Sequence, residues 1–402
     1  MRTEPTVLVA PSGFKESLDA DVVAEAIAEG VRRVLPHADV RCVPLVDGGE
    51  GTAAALVAAT GGRIVRRTVV GPVGEPIESH LGILGDGTTA VVEMAAAAGL
   101  RLVPRDRRNP LRTTTHGVGE LILAALDEGA TRILVGCGDS GTSDGGAGAL
   151  QALGARLLDA RGREIGHGAR ALRDLDRIDV SGLDPRIADV GITVACNPTN
   201  VLTGPRGVAR VFGPQKGATP KQVERLAKAL AHWARTIERD VPGAASLDLR
   251  RGLGTGASGG LGAGLAAIGA TLRPRFDVLL DQVDLDGAMA DADLVITAEG
   301  SIDAQTPRGK VPAEVARRAM DAGVPVLALA GTIGADADCV HAIGIDAVQG
   351  ILPAPMDLAE ACERGAELVA DGAERALRTM LVGASLAPVL AAHADEVHAA
   401  AA

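Results

Sequence analysis

Aromatic side chains are almost missing from this chain of 402 residues: tyrosine is absent, and Phe14, Phe212, Phe276 and Trp233 make up the whole set. Base stacking on an aromatic platform is therefore disfavoured as a binding mode, and a nucleotide base would have to sit on aliphatic walls. The five cysteines are odd in number and none is spaced as Cys-x-x-Cys. This argues against a disulfide framework and against a structural zinc site, and it suits a reducing cytosol. Positive charge is also short, with 40 Lys and Arg against 51 Asp and Glu and a formal net charge of -11. A broad basic face for nucleic acid is not to be expected. No apolar run is long enough to span a membrane. The polar residues 1 to 5 lead straight into the buried-strand pattern Thr6-Val7-Leu8-Val9-Ala10, leaving no room for a signal-peptide core. A cytoplasmic protein is expected, and the alanine-rich stretch from about Ala387 is given no role.

What the chain has in excess is glycine, 52 residues of it, concentrated in four charged or polar runs. These are Val46-Asp47-Gly48-Gly49-Glu50-Gly51-Thr52, Cys137-Gly138-Asp139-Ser140-Gly141-Thr142-Ser143-Asp144-Gly145-Gly146, Phe212-Gly213-Pro214-Gln215-Lys216-Gly217 and Gly256-Ala257-Ser258-Gly259-Gly260-Leu261-Gly262. Glycine lets a backbone turn with positive φ and brings N–H groups against phosphate oxygens, and carboxylates among them can hold the accompanying divalent metal. Phosphoryl transfer is the chemistry this combination points to.

The length predicts two domains. Val7–Ala10 reads as a buried strand, and Val22, Val23, Ala26, Ile27, Gly30, Val31 and Val34 follow on a helical period. A second strand over 40–45 then leads through the Asp47 loop to a helix from Thr52. The texture returns over 293–297, 324–329 and 347–351, with a helix over 311–322 between strands, which makes a parallel sheet with loops at its carboxyl ends. Residues 76–84 and 88–94 alternate about Gly85-Asp86-Gly87, a hairpin signal foreign to a plain parallel repeat. The fold class expected is α/β: a Rossmann-like parallel-sheet domain of residues 1–65 and 290–402, with a second α/β domain, 66–289, inserted in it. The active site is expected in the cleft between them, closed by domain motion.

The P-loop signature Gly-x-x-x-x-Gly-Lys-Ser/Thr is absent, since Gly309-Lys310 runs on to Val311 and Lys216 follows Gln215. Gly254-Thr255-Gly256-Ala257-Ser258-Gly259 satisfies Gly-x-Gly-x-x-Gly with Asp277 downstream, but the preceding Leu247–Arg251 is a poor strand. The run more readily opens the helix from Leu261 as a phosphate cradle, with tight packing as the rival explanation. Asp47, Glu50, Asp139 and Asp144 lie among glycines, where a carboxylate can bind Mg²⁺ or take a hydroxyl proton, or merely make a turn. Lys15, Lys216 and Lys310 stand out in an arginine-rich chain as compact charges for phosphate or carboxylate oxygens. Glu299 and Asp303 follow a strand end, Asn197 and Asn200 follow another, and His116 has no partner spaced for a metal.

Taken in order, Ala10-Pro11-Ser12-Gly13-Phe14-Lys15-Glu16-Ser17-Leu18, Asp47-Gly48-Gly49-Glu50-Gly51-Thr52, Asn109-Pro110-Leu111-Arg112-Thr113-Thr114-Thr115, Val211-Phe212-Gly213-Pro214-Gln215-Lys216-Gly217-Ala218 and Glu299-Gly300-Ser301-Ile302-Asp303-Ala304-Gln305-Thr306 resemble the bacterial glycerate kinase family, the type without a P-loop. The resemblance runs from residue 7 to about 380. It departs at Ser12-Gly13, where the family often has Asp-Ser, and in the Asp139–Asp144 run, where Gly-Ser-Ala-Thr-Asn-Asp is more usual. It implies phosphorylation of D-glycerate by ATP with Mg²⁺, commonly on the 2-hydroxyl to give 2-phosphoglycerate. A homodimer is left open.

On that reading Asp47 is the base and Lys15 and Lys216 hold phosphate or carboxylate oxygens. Ser17, Gly48, Gly49, Glu50, Asn197, Asn200, Glu299 and Asp303 face the acceptor. Ser140, Thr142, Ser258, Gly259, Gly260 and Lys310 face the nucleotide, and Asp139 or Asp144 holds the metal. Two other classes stay open: an NAD-dependent hydroxy-acid dehydrogenase, resting on Gly254–Gly259 and Asp277, and a sugar-acid sensor without catalysis.

Overall fold

The structure is a computed structural model describing residues 4–14 and 17–400. Lys15, for which a phosphate or carboxylate role was expected, lies outside the described residues. The chain forms two compact units, one made of the chain up to Val46 together with the chain from Asp284, the other running Asp47–Val283.

In the first unit five strands form an all-parallel sheet in the order Ala347–Gly350, Val326–Ile333, Leu294–Ile302, Thr6–Val9, Asp39–Cys42. Thr6–Val9 is buried along its whole length, as a central parallel strand covered on both faces must be. On one face Val7, Val9, Ile296, Ala298 and Leu329 form a core with Ile27 and Val31 of the helix Ala20–Val34 and with Leu368, Val369 and Ala373 of the helix Gly365–Ala400. Those two helices cross closely at Gly30, where any Cβ would strike Ala370 O. The helix Val311–Ala322 forms over the span expected for it. It buries Val311, Val315, Ala316 and Ala319 and stops at Gly323, whose φ of +70° is the left-handed cap that glycine supplies.

The second unit has a six-stranded sheet, Thr271–Pro274, Gly191–Cys196, Arg132–Gly136, Thr89–Glu93, Pro76–Ile83, Arg63–Val70. The first four strands are parallel, and the last two join antiparallel as the hairpin signal required. A second core gathers on the helix Pro220–Asp240 around Trp233, which is fully buried and donates its indole N–H to Gly145 O at 2.9 Å. That helix starts with a reciprocal Thr219–Gln222 capping box.

The unit limits differ from those expected at Arg66 and Met289. Residues 47–65, including the Asp47 loop, belong to the second unit. Arg63–Val70 pairs along eight residues with Pro76–Ile83, and Gly82 lies so close to the helix Thr52–Thr60 that a Cβ there would stand 2.7 Å from Val57 Cγ2.

Candidate active site

In the second unit the glycine runs stack on one another, backbone against backbone. Gly48, with φ of +86°, lies on Gly136 and Cys137, and a Cβ on Gly138 would collide with Gly49 Cα. On the other side a Cβ on Gly259 would strike Thr142 O, and one on Gly260 would stand 2.8 Å from Gly145 Cα. The Gly145 N–H donates to Gly259 O at 3.0 Å. Loops 47–51, 137–146 and 256–260 thus form a single stack that only glycine permits.

Two carboxylates converge on Gly49: a Cβ there would fall on Asp139 Oδ2 and 3.0 Å from Asp47 Oδ1. Asp47 Oδ1 accepts the Gly49 N–H at 3.1 Å. Its Oδ2 and its carbonyl accept from Arg275 Nη1 at 3.2 and 3.1 Å, and that guanidinium lies 4.7 Å from the centre of the Phe276 ring. Asp139 has a left-handed φ of +45°, uncommon for a residue with a Cβ, and its Oδ2 accepts the Glu50 N–H at 3.3 Å. Glu50 pairs with Arg101 at 3.3 Å.

Lys216 is 3% exposed. Its ammonium donates to Ser140 Oγ at 2.8 Å and to Thr142 O at 2.6 Å. Burial lowers its pKa to about 7, although Asp144 pulls the other way.

Asp144 does not suit the metal role expected of it. It is fully buried, and its two oxygens accept from Thr115 N–H at 2.9 Å, Thr115 Oγ1 at 3.0 and 3.1 Å, and the N–H groups of Gly146 and Gly148 at 3.2 Å. Burial pushes its carboxyl above the usual range against the pull of those donors. It is a brace that ties the threonine run at 113–115 to the start of the helix Ala147–Ala152.

Within the run 256–262, where a phosphate cradle was expected, the glycines answer in the first place to packing. Ser258, Gly259 and Gly260 have successive φ values of +50°, +70° and +96°, and the contacts above show Gly259 and Gly260 meeting protein, so packing sets their identity. The segment before Gly254 is a series of turns, not a strand, so Gly254–Gly259 lacks the setting of a dinucleotide fingerprint. Asn197 spends its Oδ1 on the N–H and hydroxyl of Thr199, at 3.0 and 2.8 Å, in a local turn. Asn200 gives its carbonyl to the Gly256 N–H at 3.0 Å. A cavity of about 730 Å³ lined by Arg235, Arg250 and Arg251, among others, shares none of these residues.

In the first unit Lys310 Nζ donates to Ser301 O at 2.9 Å and lies 3.5 Å from Glu299 Oε2 and 3.8 Å from Asp303 Oδ1. Burial works to raise the Asp303 pKa, but the Gln305 N–H, the Ser301 hydroxyl and Lys310 outweigh it and hold the carboxyl below the usual range. Ser17 Oγ donates to Cys362 O at 3.4 Å.

Sequence reasoning missed Arg275 and Glu93, and it placed Thr115 in a motif without giving it a role. Glu93, 2% exposed, accepts the Gly51 N–H on Oε1 at 3.2 Å and the Ala53 N–H on Oε2 at 3.1 Å.

Among the described residues no three His, Cys, Asp or Glu side chains are grouped to hold a metal ion. Asp139 offers a hard carboxylate oxygen beside Gly49, and one carboxylate together with substrate phosphates suits Mg²⁺, an ion usually bound by one or two carboxylates.

The chain matches the glycerate kinase family model over residues 7–381. It is 49% identical over 385 residues to the glycerate kinase of Bacillus subtilis (strain 168), covering 96% of this chain and 99% of the relative. It is 46% identical over 378 residues to the glycerate 2-kinase of Escherichia coli (strain K12), covering 94% and 98%. A crystal structure attributed to glycerate kinase 2 of Salmonella typhimurium LT2 superposes with a TM-score of 0.81 at 46% identity, covering 96% of this chain and 100% of that one. With a family match across nearly its whole length, the chain belongs to the glycerate kinase family and is a kinase, a phosphotransferase.

Proposed function

We propose that the chain transfers the γ-phosphoryl group of ATP, with Mg²⁺, to D-glycerate, and that 2-phosphoglycerate is the product. The observation that carries the reading is the convergence of Asp47 and Asp139 on Gly49, in the same stack of loops that fixes the buried ammonium of Lys216. Phosphoryl transfer needs little covalent help from a protein. It needs in-line positioning, a group to orient the acceptor hydroxyl, and cationic neutralisation of charge on the moving group.

Asp47, oriented by Arg275 and by the Gly49 N–H, accepts the proton of the acceptor hydroxyl. Asp139, whose Oδ2 lies beside Gly49, would hold the metal, which when bound would neutralise phosphate charge. Lys216 sits on the transferred phosphoryl oxygens, with Ser140 and Thr142 holding the ammonium in place. Lys310 is assigned to the nucleotide and Glu299 and Asp303 to the acceptor. The name of the E. coli relative, glycerate 2-kinase, favours the 2-hydroxyl. The five free cysteines suit the reducing cytoplasm as the place of reaction.

The test is a coupled ADP-release assay over a panel of hydroxy acids, with and without Mg²⁺, followed by phosphorus NMR of the product. D-Glycerate should be the best acceptor and the product resonance should be that of 2-phosphoglycerate; a 3-phosphoglycerate signal overturns the assigned position. Asp47→Asn should lower kcat by at least about 100-fold. A variant within a few fold of wild type removes Asp47 from the role of base.

A further inference from the structure

The loop Asp47–Gly51 needs an outside anchor. Gly48 and Gly51 are both left-handed, and the helix Thr52–Thr60 begins at a glycine with no side chain to cap it; the Thr52 N–H turns back to Gly49 O at 3.3 Å, which leaves the N–H groups of Gly51 and Ala53 for an acceptor from elsewhere in the chain. Glu93 supplies one from the end of the strand Thr89–Glu93, where its main chain pairs with Gly136, the residue on which Gly48 packs.

A neutral acceptor would suffice for a cap. Instead a carboxylate is buried there, and desolvation pushes it up to about 7; the Ala53 and Gly51 N–H groups pull down, while Glu50 and Asp139 add to the push. What singles this carboxyl out is its geometry: it is buried, and both of its oxygens are spent on backbone N–H groups next to the loop that carries Asp47.

We propose that Glu93 is a positioning residue for phosphoryl transfer: by gripping the Gly51 and Ala53 N–H groups with both carboxylate oxygens, it fixes the Asp47–Gly51 loop so that Asp47 meets the acceptor hydroxyl. The proposal rests on the reading of Asp47 as the base. Two oxygens on two N–H groups constrain both the position and the tilt of the loop, which a single hydrogen bond cannot do. Glutamine at this position keeps one acceptor oxygen and sets an NH₂ group against the second N–H, so the grip on the loop is lost with little change in volume.

The experiment compares full-length wild type with Glu93→Gln and Glu93→Asp. In Glu93→Gln, kcat with D-glycerate should fall roughly 10- to 100-fold, as expected for a misplaced catalytic group, while the KM for ATP stays within about twofold. Glu93→Asp, which keeps the charge, should restore part of the loss. Amide hydrogen exchange is read alongside: the Gly51 and Ala53 amides should be protected in wild type and exchange at least about 10-fold faster in Glu93→Gln, with the amides of Arg132–Gly136 unchanged.

A Glu93→Gln enzyme with kcat within twofold of wild type overturns the proposal, as does equal loss in kcat and in ATP affinity. Wild-type Gly51 and Ala53 amides that exchange like free peptide overturn it without any variant, which covers the case of a variant that does not fold. If wild type releases no ADP with any hydroxy acid, the proposed function fails, while the exchange result still judges the grip of Glu93 on the loop.

Discussion

Replacing Lys216 with methionine should strengthen the fold at neutral pH while abolishing turnover. The ammonium is 3% exposed and its pKa is lowered by burial from 10.5 to about 7. An interval of about 3.5 units at ~1.4 kcal/mol each means that the charged form costs about 5 kcal/mol in the folded chain. Because the folded pKa of this base lies below the unfolded one, the unfolded chain binds the extra proton between pH 7 and 10.5. Stability therefore rises with pH across that window, and the full cost applies below about pH 7.

Methionine has a similar length, carries no charge, and leaves Ser140 Oγ and Thr142 O without their donor, at about 1–1.5 kcal/mol each. The balance at pH 7 is a gain of about 2 kcal/mol for Lys216→Met. At pH 9.5 the wild-type cost has shrunk to about 1–2 kcal/mol, and the variant becomes the less stable of the two.

Urea unfolding followed through Trp233, the single tryptophan, reads the unit that contains Lys216. ADP release should fall by at least about 1,000-fold in the same variant, since the charge facing the transferred group is lost. A variant less stable than wild type by the same amount at both pH values would refute the claim that this ammonium is held away from water. Turnover within tenfold of wild type would refute its place on the phosphoryl group.

Two further predictions concern the scaffold. Asp144→Asn turns an NH₂ group toward donors that a carboxylate now satisfies, and should cost about 2–4 kcal/mol in urea unfolding; the Mg²⁺ concentration for half-maximal activity should not move, and a large shift would return Asp144 to the metal. Gly138→Ala drives a Cβ into Gly49 and should lower stability by about 2–4 kcal/mol, with a lower melting temperature as the readout; an unchanged melting temperature would mean that the two loops do not stack.

Periodic patterns carried much of the fold. Thr6–Val9 and Val311–Ala322 are continuous local signals, buried runs and a 3.6-residue stripe, and their elements form where those signals lie. The hairpin about Gly85-Asp86-Gly87 was legible because two strands and their turn are neighbours in sequence. What stayed hidden depends on partners far along the chain. The Asp47 loop follows a strand of the first unit, and only the pairing of Arg63–Val70 with Pro76–Ile83 and the reach of Glu93 draw it into the second. Asp144 looks like any acidic residue in a glycine loop until Thr115, 29 residues earlier, is laid against it. Glu93 gave one faint sign, a carboxylate closing the apolar run Ala90-Val91-Val92, where a chain of Val or Ile would be ordinary.

The abundance of glycine has a more specific cause than affinity for phosphate. Stacking three loops through their backbones leaves no room for side chains between them. Burial acts in opposite directions on two charges held against these loops, lowering the Lys216 ammonium and raising the Glu93 carboxyl, and both arrive near 7. Neither group meets a surface counter-ion among the described residues; the buried Asp144 favours the Lys216 charge, and the rest of the stabilisation in the charged form comes from what each one touches. For Glu93 that is the two N–H groups of the loop beside Asp47. For Lys216 it is two oxygens of the protein, with a third N–H left to donate, and an incoming phosphate oxygen is the partner that best repays the desolvation. A buried lysine that is costly alone and favourable with an anion binds the anion more strongly as the transferred group gains charge. The glycines thus also build affinity indirectly, through the close approach of loops that carry and fix the groups around these two charges.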